Sequence, residues 1–545
     1  MATLASATDI TSIFPEESQI PEEYRMEKVH QKEYLINGEI RTWDGPFQEV
    51  KSPVWYRKAD GTLEQAVLGE YPLLGETQAK EALKAAVDAY GNGHGVWPSL
   101  PLAERISCMQ KFVLFMKTKR DEVVKLLMWE IGKNLTDSRK EFDRTVAYIQ
   151  DTIDALKDLD RDNSRFTITQ GVIAQVRRAP LGVTLCMGPY NYPLNETFTT
   201  MIPAILMGNT VIFKPPRWGV LLHRPLMQGF RDCFPPGVVN TLYGRGRAIT
   251  PVLMASGQIS VLAFIGTSRS ADDLKKQHPK PHRMRGVLGL EAKNAAIVLR
   301  DCDVAQAVKE CVLGALSYNG QRCTALKIIY VHKDIADKFI PAFVEAVGNL
   351  RVGMPWEDAA ITPLPNTETS DRMAAYVKDA LEKGAVLLNE KQGGGRLAGS
   401  FFHPAILGNV TSEMKIVQEE QFGPVVPIAT FFDVSEPLSF VEDSPYGQQV
   451  AVFGRNATQV STLVDRLVNQ VCRVNINSQC QRGPDNLPFT GRKDSAESTL
   501  SVSDALRAFS IRTLVAAKSN DVNNELLTDI VQHHKSRFLN TDFIF

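Results

Sequence analysis

Residues 182–213 of the 545-residue chain read GVTLCMGPYNYPLNETFTTMIPAILMGNTVIF, and this stretch decides the fold. It has an apolar, strand-like segment at each end, residues 182–186 and 210–213, and a helical segment around residues 193–207 between them. The alternation continues with strand-like segments at residues 239–242 and 260–264 and helical segments around residues 221–233 and 247–256. Continuous apolar strands that alternate with helices are typical of a buried parallel sheet of doubly wound α/β type.

A second series of the same kind follows further along the chain. Its strand-like segments are residues 295–299, 326–332, 428–432, 450–453 and 473–476, and its helical segments are residues 304–316, 334–347 and 370–383. Because a chain of this length exceeds one hydrophobic core, we predict two doubly wound parallel-sheet domains.

Residues 165–178 interrupt this pattern, because polar and apolar side chains alternate there as in an exposed antiparallel strand. Residues 502–518 contain a similar alternating segment, which would pair well with the first. We predict a projecting β-arm that joins subunits; the alternative is an internal edge strand.

Composition excludes several classes of function. A hydrophobic content of 44%, a charged content of 23% and a net charge of -1 describe an ordinary globular protein without the basic surface that nucleic acids require. The most apolar internal segment, residues 201–213, is interrupted by proline, glycine and asparagine and is too short to span a bilayer. The N-terminus has no basic region followed by an apolar run, so we expect a cytoplasmic location and no membrane partner.

The eight cysteines and nine histidines show no metal-ligand spacing, so we expect neither a metal site nor a disulfide framework. One cysteine stands out in the segment Ser317-Tyr-Asn-Gly-Gln-Arg-Cys-Thr-Ala325, between a helical segment and a strand. Arg322 directly precedes Cys323, and a nearby positive charge lowers a thiol pKa and makes the sulfur a nucleophile. The alternative is that Cys323 is an inert, small apolar side chain.

Asn191 follows the strand-like residues 182–186, on the loop where an open parallel sheet places its ligands. A side-chain amide beside an activated thiol can stabilise an oxyanion together with the backbone N–H of the nucleophile. The alternative is that Asn191 caps the helix that follows. The segment Gly244-Arg-Gly246 is a weaker signal, because it is only half of a dinucleotide-binding fingerprint.

Taken together, five ordered motifs resemble the aldehyde dehydrogenase superfamily between about residues 34 and 518. They are Gly188-Pro-Tyr-Asn-Tyr-Pro193, Val211-Ile-Phe-Lys-Pro-Pro216, Gly320-Gln-Arg-Cys-Thr-Ala325, Glu419-Glu-Gln-Phe-Gly-Pro-Val425 and Pro488-Phe-Thr-Gly-Arg-Lys-Asp-Ser495. The resemblance implies that the Cys323 thiolate adds to an aldehyde, that Asn191 and the Cys323 amide hold the oxyanion, and that hydride transfer to a nicotinamide leaves a thioester for hydrolysis.

The same resemblance implies a set of cofactor-binding residues. Lys214 would bind the adenosine ribose, Gly266 and Thr267 the pyrophosphate, and Glu420 the nicotinamide ribose, with Phe422 packed nearby. Many members of the superfamily have a glutamate three residues after the lysine, where this chain has Arg217. Because an arginine attracts a 2′-phosphate that a glutamate repels, we predict NADP rather than NAD.

The general base departs from the family pattern. The superfamily carries a glutamate at the start of E-L-G-G-K, whereas this chain reads Gly289-Leu-Glu-Ala-Lys293. Glu291 therefore stands two residues after the usual position, on the same side of an extended strand and about 6 to 7 Å away. Glu291 is either a displaced base or a structural residue, and the second alternative puts thioester hydrolysis in doubt.

The branch that this chain most resembles is the non-phosphorylating, NADP-dependent glyceraldehyde-3-phosphate dehydrogenases. That branch implies a phosphate site made of Arg144, Tyr192, Arg322 and Arg482. The implied reaction converts D-glyceraldehyde 3-phosphate, NADP and water to 3-phosphoglycerate and NADPH, and the implied partner is a small phosphorylated aldehyde. The alternatives are that each arginine forms a structural ion pair, that the substrate is another acidic aldehyde such as a semialdehyde, and that the fold is catalytically silent.

The predicted architecture is therefore an aldehyde dehydrogenase-like α/β fold in a homo-oligomer, either a dimer or a tetramer. Its parts are an N-terminal arm (residues 1–30), a nucleotide-binding domain (31–161 and 181–291), an oligomerisation β-arm (162–180 and 500–518), a catalytic domain (292–499) and a C-terminal extension (519–545).

Overall fold

A computed structural model describes residues 10–544, so the first nine residues of the predicted N-terminal arm and Phe545 lie outside the described residues. Its α-helices are α1 (Glu76–Tyr90), α2 (Val96–Ser99), α3 (Leu102–Thr118), α4 (Arg120–Ile131), α5 (Leu135–Asn163), α6 (Asn195–Leu206), α7 (Met227–Cys233), α8 (Gly246–Ala255), α9 (Ser268–Gln277), α10 (Val304–Leu316), α11 (Lys333–Gly348), α12 (Thr367–Glu382), α13 (Lys415–Gln418), α14 (Ser435–Asp443), α15 (Ala457–Leu467), α16 (Val502–Ala508) and α17 (Asp521–Gln532).

The strands, in chain order, are β1 (Val29–His30), β2 (Glu33–Ile36), β3 (Glu39–Thr42), β4 (Phe47–Arg57), β5 (Leu63–Pro72), β6 (Phe166–Thr169), β7 (Val172–Pro180), β8 (Val183–Met187), β9 (Thr210–Lys214), β10 (Val239–Thr241), β11 (Ile259–Ile265), β12 (Arg285–Gly289), β13 (Ala295–Val298), β14 (Ile328–His332), β15 (Val386–Leu387), β16 (Leu397–Ala398), β17 (Phe401–Phe402), β18 (Ala405–Gly408), β19 (Val425–Phe431), β20 (Tyr446–Gly447), β21 (Gln449–Phe453), β22 (Arg473–Ile476), β23 (Arg492–Lys493), β24 (Ala496–Glu497) and β25 (Ser510–Lys518).

The first large sheet contains the stretch that opens the sequence analysis. Its strand order is β10-β9-β8-β11-β12-β24, and all pairs are parallel except the antiparallel pair of β12 with β24. Every residue of β8 is buried, as a parallel strand covered by helices on both faces requires. The carboxyl ends of β8, β11 and β12 therefore meet at one edge of the sheet.

The second large sheet has the order β15-β18-β19-β14-β13-β21-β22, with β15 as its antiparallel edge strand. The segment that carries Cys323 lies between α10 and β14, which is one of the three central strands. These two mostly parallel sheets confirm the predicted doubly wound α/β fold.

The predicted β-arm is a three-stranded antiparallel sheet of order β25-β7-β6. Residues 165–178 were expected to form one strand, but the chain turns at Gln170 and Gly171, whose φ angles are 50° and 74°, and forms a hairpin. The predicted partner does pair with it, because β25 runs antiparallel to the whole of β7. The role of this arm in oligomerisation stays a prediction.

Two further segments differ from expectation. Apolar residues recur at helical spacing throughout residues 102–128, which predicts one helix, but the segment is divided between α3 and α4, because Lys119 has φ -103° and ψ 7° and leaves the helical conformation. The C-terminal segment, for which we predicted no secondary structure, forms α17, and Asn540 beyond it accepts a hydrogen bond from Arg177 on the arm (2.7 Å). Within residues 10–544, no helix has the length and apolarity needed to cross a membrane.

Candidate active site

One cavity of about 1220 Å³ lies at the carboxyl ends of β8, β11 and β12 and beside the segment before β14. Twelve of the thirteen predicted site residues line it: Arg144, Asn191, Tyr192, Arg217, Gly266, Thr267, Glu291, Arg322, Cys323, Glu420, Phe422 and Arg482. Lys214 is the exception. Its ammonium donates to the carbonyl of Pro215 (3.0 Å), and burial lowers the Lys214 pKa to about 8.

The Cys323 loop is held in a fixed conformation. Tyr318, Asn319 and Gly320 all have positive φ angles (50°, 55° and 70°), and a Cβ on Gly320 would lie 2.7 Å from the carbonyl oxygen of Ala315. Glycine is therefore required at this turn. The Asn294 amide closes the loop by donating to the carbonyl oxygens of Cys323 (2.8 Å) and Ala325 (3.1 Å).

The electrostatic environment of Cys323 differs from the sequence-based expectation. Burial and the Glu420 carboxylate raise the thiol pKa, and they outweigh the opposing effects of a hydrogen bond with Gln448 and of Lys327 and Arg322. Arg322 has the smallest of these effects, and its guanidinium donates to the carbonyl oxygens of Leu313 and Gly314 (3.1 and 2.9 Å). The expectation of a lowered Cys323 pKa was wrong.

Asn191 lies against the cysteine loop. Its side-chain Nδ2 donates to the carbonyl oxygen of Gln321 (2.8 Å), two residues before Cys323. The capping alternative is wrong, because α6 has no side-chain cap and its first N–H groups, those of Leu194 and Asn195, donate to the Glu141 carboxylate (3.1 and 3.2 Å). The Asn191 amide thus faces the thiol loop rather than its own helix.

A buried ion pair holds the backbone of Asn191, and the sequence analysis did not identify this pair. Lys133 pairs with Glu141, both side chains are fully buried, and the Lys133 ammonium also donates to the backbone carbonyl of Asn191 (2.8 Å). The ammonium lies 3.6 Å from the centre of the Tyr192 ring, a cation–π contact. No local sequence pattern marks Lys133 and Glu141 as a pair, because only the tertiary contact with Asn191 distinguishes them from ordinary surface charges.

The N-terminus of α9 borders the opposite end of the cavity. Thr267 caps this helix by accepting from the Ser270 N–H (3.3 Å). The Glu291 carboxylate accepts from the Ser268 N–H at 2.7 Å. Glu291 therefore binds the positive end of a helix, which is the structural alternative that the sequence analysis left open.

Glu420 lines the cavity together with Phe422. Its Oε1 lies 3.5 Å from the Lys327 ammonium and accepts from the Ala292 N–H (3.3 Å). Burial raises the Glu420 pKa, and Lys327 opposes the rise. The sequence analysis did not identify Lys327, although its place four residues after Cys323 was a usable signal.

The four predicted phosphate ligands come together, but two of the arginines already have acidic partners. Arg144 forms a bidentate pair with Asp485 (2.8 and 2.6 Å). Arg482 pairs with Glu196 and lies 3.4 Å from Asp485. Structural ion pairs are thus present at both positions, while both side chains still line the cavity.

The chain is thus an α/β protein with two doubly wound sheets and a cysteine in the cleft that their loops form. It belongs to the aldehyde dehydrogenase family, whose sequence model matches residues 57–515. The predicted aldehyde dehydrogenase-like fold is confirmed.

Named relatives refine this comparison. The chain is 32% identical over 492 residues to the NADP-dependent glyceraldehyde-3-phosphate dehydrogenase of Streptococcus equinus, covering 89% of this chain and 97% of that one. It is 26% identical over 496 residues to the alpha-ketoglutaric semialdehyde dehydrogenase of Bacillus subtilis, covering 88% and 96%. The crystal structure of the NADP-dependent glyceraldehyde-3-phosphate dehydrogenase of Bacillus halodurans, complexed with NADP, superposes with a TM-score of 0.81 at 30% identity, covering 90% of this chain and 100% of that one.

Proposed function

We propose that the protein is an NADP-dependent aldehyde dehydrogenase that oxidises D-glyceraldehyde 3-phosphate to 3-phosphoglycerate without inorganic phosphate. The observation that carries this proposal is one cavity that holds Cys323, Asn191 and the cluster of Arg144, Arg322 and Arg482. The likeness to relatives named for the same reaction supports it.

The residues present fit a dinucleotide. The Ser268 N–H at the start of α9 already binds a carboxylate oxygen of Glu291, so this helix end suits the negative charge of a pyrophosphate. Glycine is required at position 266, because a Cβ there would lie 2.3 Å from the Phe264 ring. Bound NADP would supply the hydride acceptor.

In the proposed mechanism, the Cys323 sulfur adds to the aldehyde carbon. The Asn191 amide and the Cys323 backbone N–H donate to the oxyanion that forms on the carbonyl oxygen. Loss of hydride from that carbon leaves an acyl group on Cys323 as a thioester. Because burial raises the Cys323 pKa, the thiol must lose its proton to water before or during the attack.

Arg217 is proposed to select NADP. Its guanidinium lines the cavity and lies 5.2 Å from the centre of the Trp218 ring, which orients it. Among residues 10–544, no acidic side chain forms an ion pair with Arg217. Arg217→Glu should lower the NADP over NAD preference in kcat/KM by about tenfold or more, since a charge-assisted hydrogen bond contributes about 1.5–3 kcal/mol.

The measurement is steady-state kinetics with both nucleotides. Arg300→Glu is the matched control, because Arg300 is an exposed residue after β13, outside the cavity lining, and carries the same change of charge. An unchanged preference in Arg217→Glu would remove Arg217 from cofactor selection.

A second candidate substrate is a carboxylated semialdehyde. The pairing of Arg144 with Asp485 and of Arg482 with Glu196 reduces the net positive charge of the cluster, which suits a monoanion better than a dianionic phosphate. The Bacillus subtilis relative is named for such a substrate. Absorbance of NADPH with D-glyceraldehyde 3-phosphate and with acidic semialdehydes separates the two: higher kcat/KM for a semialdehyde contradicts the proposed substrate.

We also propose that the β-arm joins subunits of a homo-oligomer. Ile511, Leu514 and Val515 of β25 are apolar and exposed, with Leu514 60% exposed. Leu514→Glu should shift the molecular mass measured by light scattering toward the monomer, because it places a charge in an apolar interface.

Val468→Glu is the control for this shift, since Val468 is similarly exposed (45%) but follows α15, away from the arm. A Leu514→Glu variant with the wild-type mass would contradict the proposed interface.

A further inference from the structure

A base is required to release the acyl group from Cys323, and the acidic residues of the cavity differ in how free they are to accept a proton from water. Within the described chain, five acidic side chains line the cavity: Asp137, Glu141, Glu196, Glu291 and Glu420. Gly289, at the position where the family pattern has its glutamate, has no side chain. The proton acceptor must therefore come from this set.

Three of these carboxylates have partners outside the segment that carries Cys323, whereas one partner of Glu420, Lys327, donates to the Gly320 carbonyl in the turn before Cys323 (3.3 Å). Glu141 pairs with Lys133 and accepts from the first N–H groups of α6. Glu196 pairs with Arg482, and Glu291 accepts from the Ser268 N–H. Removing any of these contacts would leave a buried cation or a helix end unsatisfied.

The remaining two residues differ in their relation to the thiol. Asp137 lies in the first turn of α5, and its charge acts on Lys133 and Tyr192. Glu420 is the carboxylate whose charge acts most strongly on Cys323. Among the five acidic side chains, Glu420 is thus the one placed to activate the water that attacks the Cys323 thioester.

The surroundings of Glu420 suit a base. Its side chain is 8% exposed, and its Oε1 is fixed by the Ala292 N–H and by Lys327, which is 1% exposed. The Lys327 ammonium is itself held 3.3 Å from the carbonyl oxygen of Gly320, in the turn before Cys323. A carboxylate whose pKa is raised by burial is a stronger base than an exposed one, and the Lys327 charge favours the ionised form of Glu420.

We propose that Glu420, rather than Glu291, is the general base that hydrolyses the Cys323 thioester, and that Lys327 is its positioning residue. The Glu420 carboxylate takes a proton from water while the water oxygen forms a bond to the acyl carbon. The C–S bond then breaks, and the sulfur of Cys323 leaves with the electron pair. The proton passes from Glu420 to the thiolate or to solvent, which restores the starting state. This inference rests on the proposed thioester chemistry.

The test uses p-nitrophenyl acetate without nucleotide, so that a contribution of Glu420 to cofactor binding does not enter. A burst of nitrophenolate measures acylation of Cys323, and the following steady rate measures deacylation. Glu420→Gln should keep the burst and lower the steady rate about 100-fold or more, the usual contribution of a general base. Glu419→Gln is the control, since the Glu419 side chain does not line the cavity and accepts from the Tyr376 hydroxyl (2.8 Å), so both rates should stay near wild type.

A steady rate unchanged in Glu420→Gln, or a loss confined to Glu291→Gln, would overturn the assignment to Glu420. Absence of the burst in the wild-type protein would instead contradict the proposed nucleophile, so the two failures are distinguishable.

Two further readouts separate a base from a structural residue. Because the Glu420 charge raises the Cys323 pKa, Glu420→Gln should speed the alkylation of Cys323 by iodoacetamide at neutral pH even as deacylation slows. Because Lys327 lowers the Glu420 pKa, Lys327→Met should move the acidic limb of the deacylation profile to higher pH. An acidic limb that stays at its wild-type pH in Lys327→Met would contradict the pairing.

Discussion

Cys323→Ala is expected to abolish both aldehyde oxidation and ester cleavage, with a loss of about 10⁴-fold or more in kcat, because no covalent intermediate can then form. NADP binding should remain, since the cofactor-binding residues proposed above do not include the thiol. NADPH absorbance measures the first activity, the nitrophenolate burst the second, and isothermal calorimetry the binding of NADP.

Cys472→Ala provides a matched control, because Cys472 is also partly buried but lies outside the cavity lining. The pH dependence gives a second check. Burial and Glu420 raise the Cys323 pKa, so the acylation rate of the ligand-free enzyme should climb with pH through a value above the usual range of a thiol. A Cys323→Ala variant that keeps a wild-type burst would show that another group is the nucleophile.

The two large sheets could be predicted from the sequence, because each of their strands and helices has its own local pattern of apolar residues. Helix α10 (Val304–Leu316) and strand β22 (Arg473–Ile476) have the predicted bounds, since a continuous apolar run or a helical spacing is a property of a few neighbouring residues. The turn at Gln170 and Gly171 was missed although the alternation is interrupted there, since Thr169 and Gln170 are both polar and residues 172–174 are all apolar. The break at Lys119 has no proline or glycine to mark it.

The site shows a similar division. Twelve of the thirteen residues predicted from motifs line one cavity, because a motif fixes the end of the loop at which a side chain lies. Charge balance and pKa depend on contacts between distant segments, such as Arg144 with Asp485, which no local pattern contains. For the same reason, the direction of the Cys323 pKa shift required the burial and the position of Glu420, and the adjacent Arg322 was a misleading signal.

The Lys133–Glu141 pair illustrates what such contacts add to function. A fully buried ion pair contributes little net stability, but removing one partner leaves an uncompensated charge and costs about 3–5 kcal/mol. Here the pair fixes the backbone of Asn191 through the Lys133 ammonium and the start of α6 through the Glu141 carboxylate. The amide that faces the thiol loop is therefore set in place before substrate binds.

Asn191→Ala tests that amide directly. Loss of one oxyanion donor should lower kcat about 10² to 10³-fold, while KM for the aldehyde changes little, because the donor acts on charge that develops only in the transition state. The folded state should lose only about 1 kcal/mol from the missing hydrogen bond to the Gln321 carbonyl (2.8 Å), which shifts the unfolding temperature by a few degrees at most.

The measurements are steady-state kinetics, the nitrophenolate burst and thermal unfolding on the same preparation. Acylation and deacylation should slow together in Asn191→Ala, because both pass through a tetrahedral oxyanion, whereas Glu420→Gln should slow deacylation alone. If the Asn191→Ala variant keeps the wild-type kcat, Asn191 does not stabilise the oxyanion, and its only role is the hydrogen bond to the Gln321 carbonyl. A large fall in unfolding temperature with an unchanged burst rate would assign it a purely structural role.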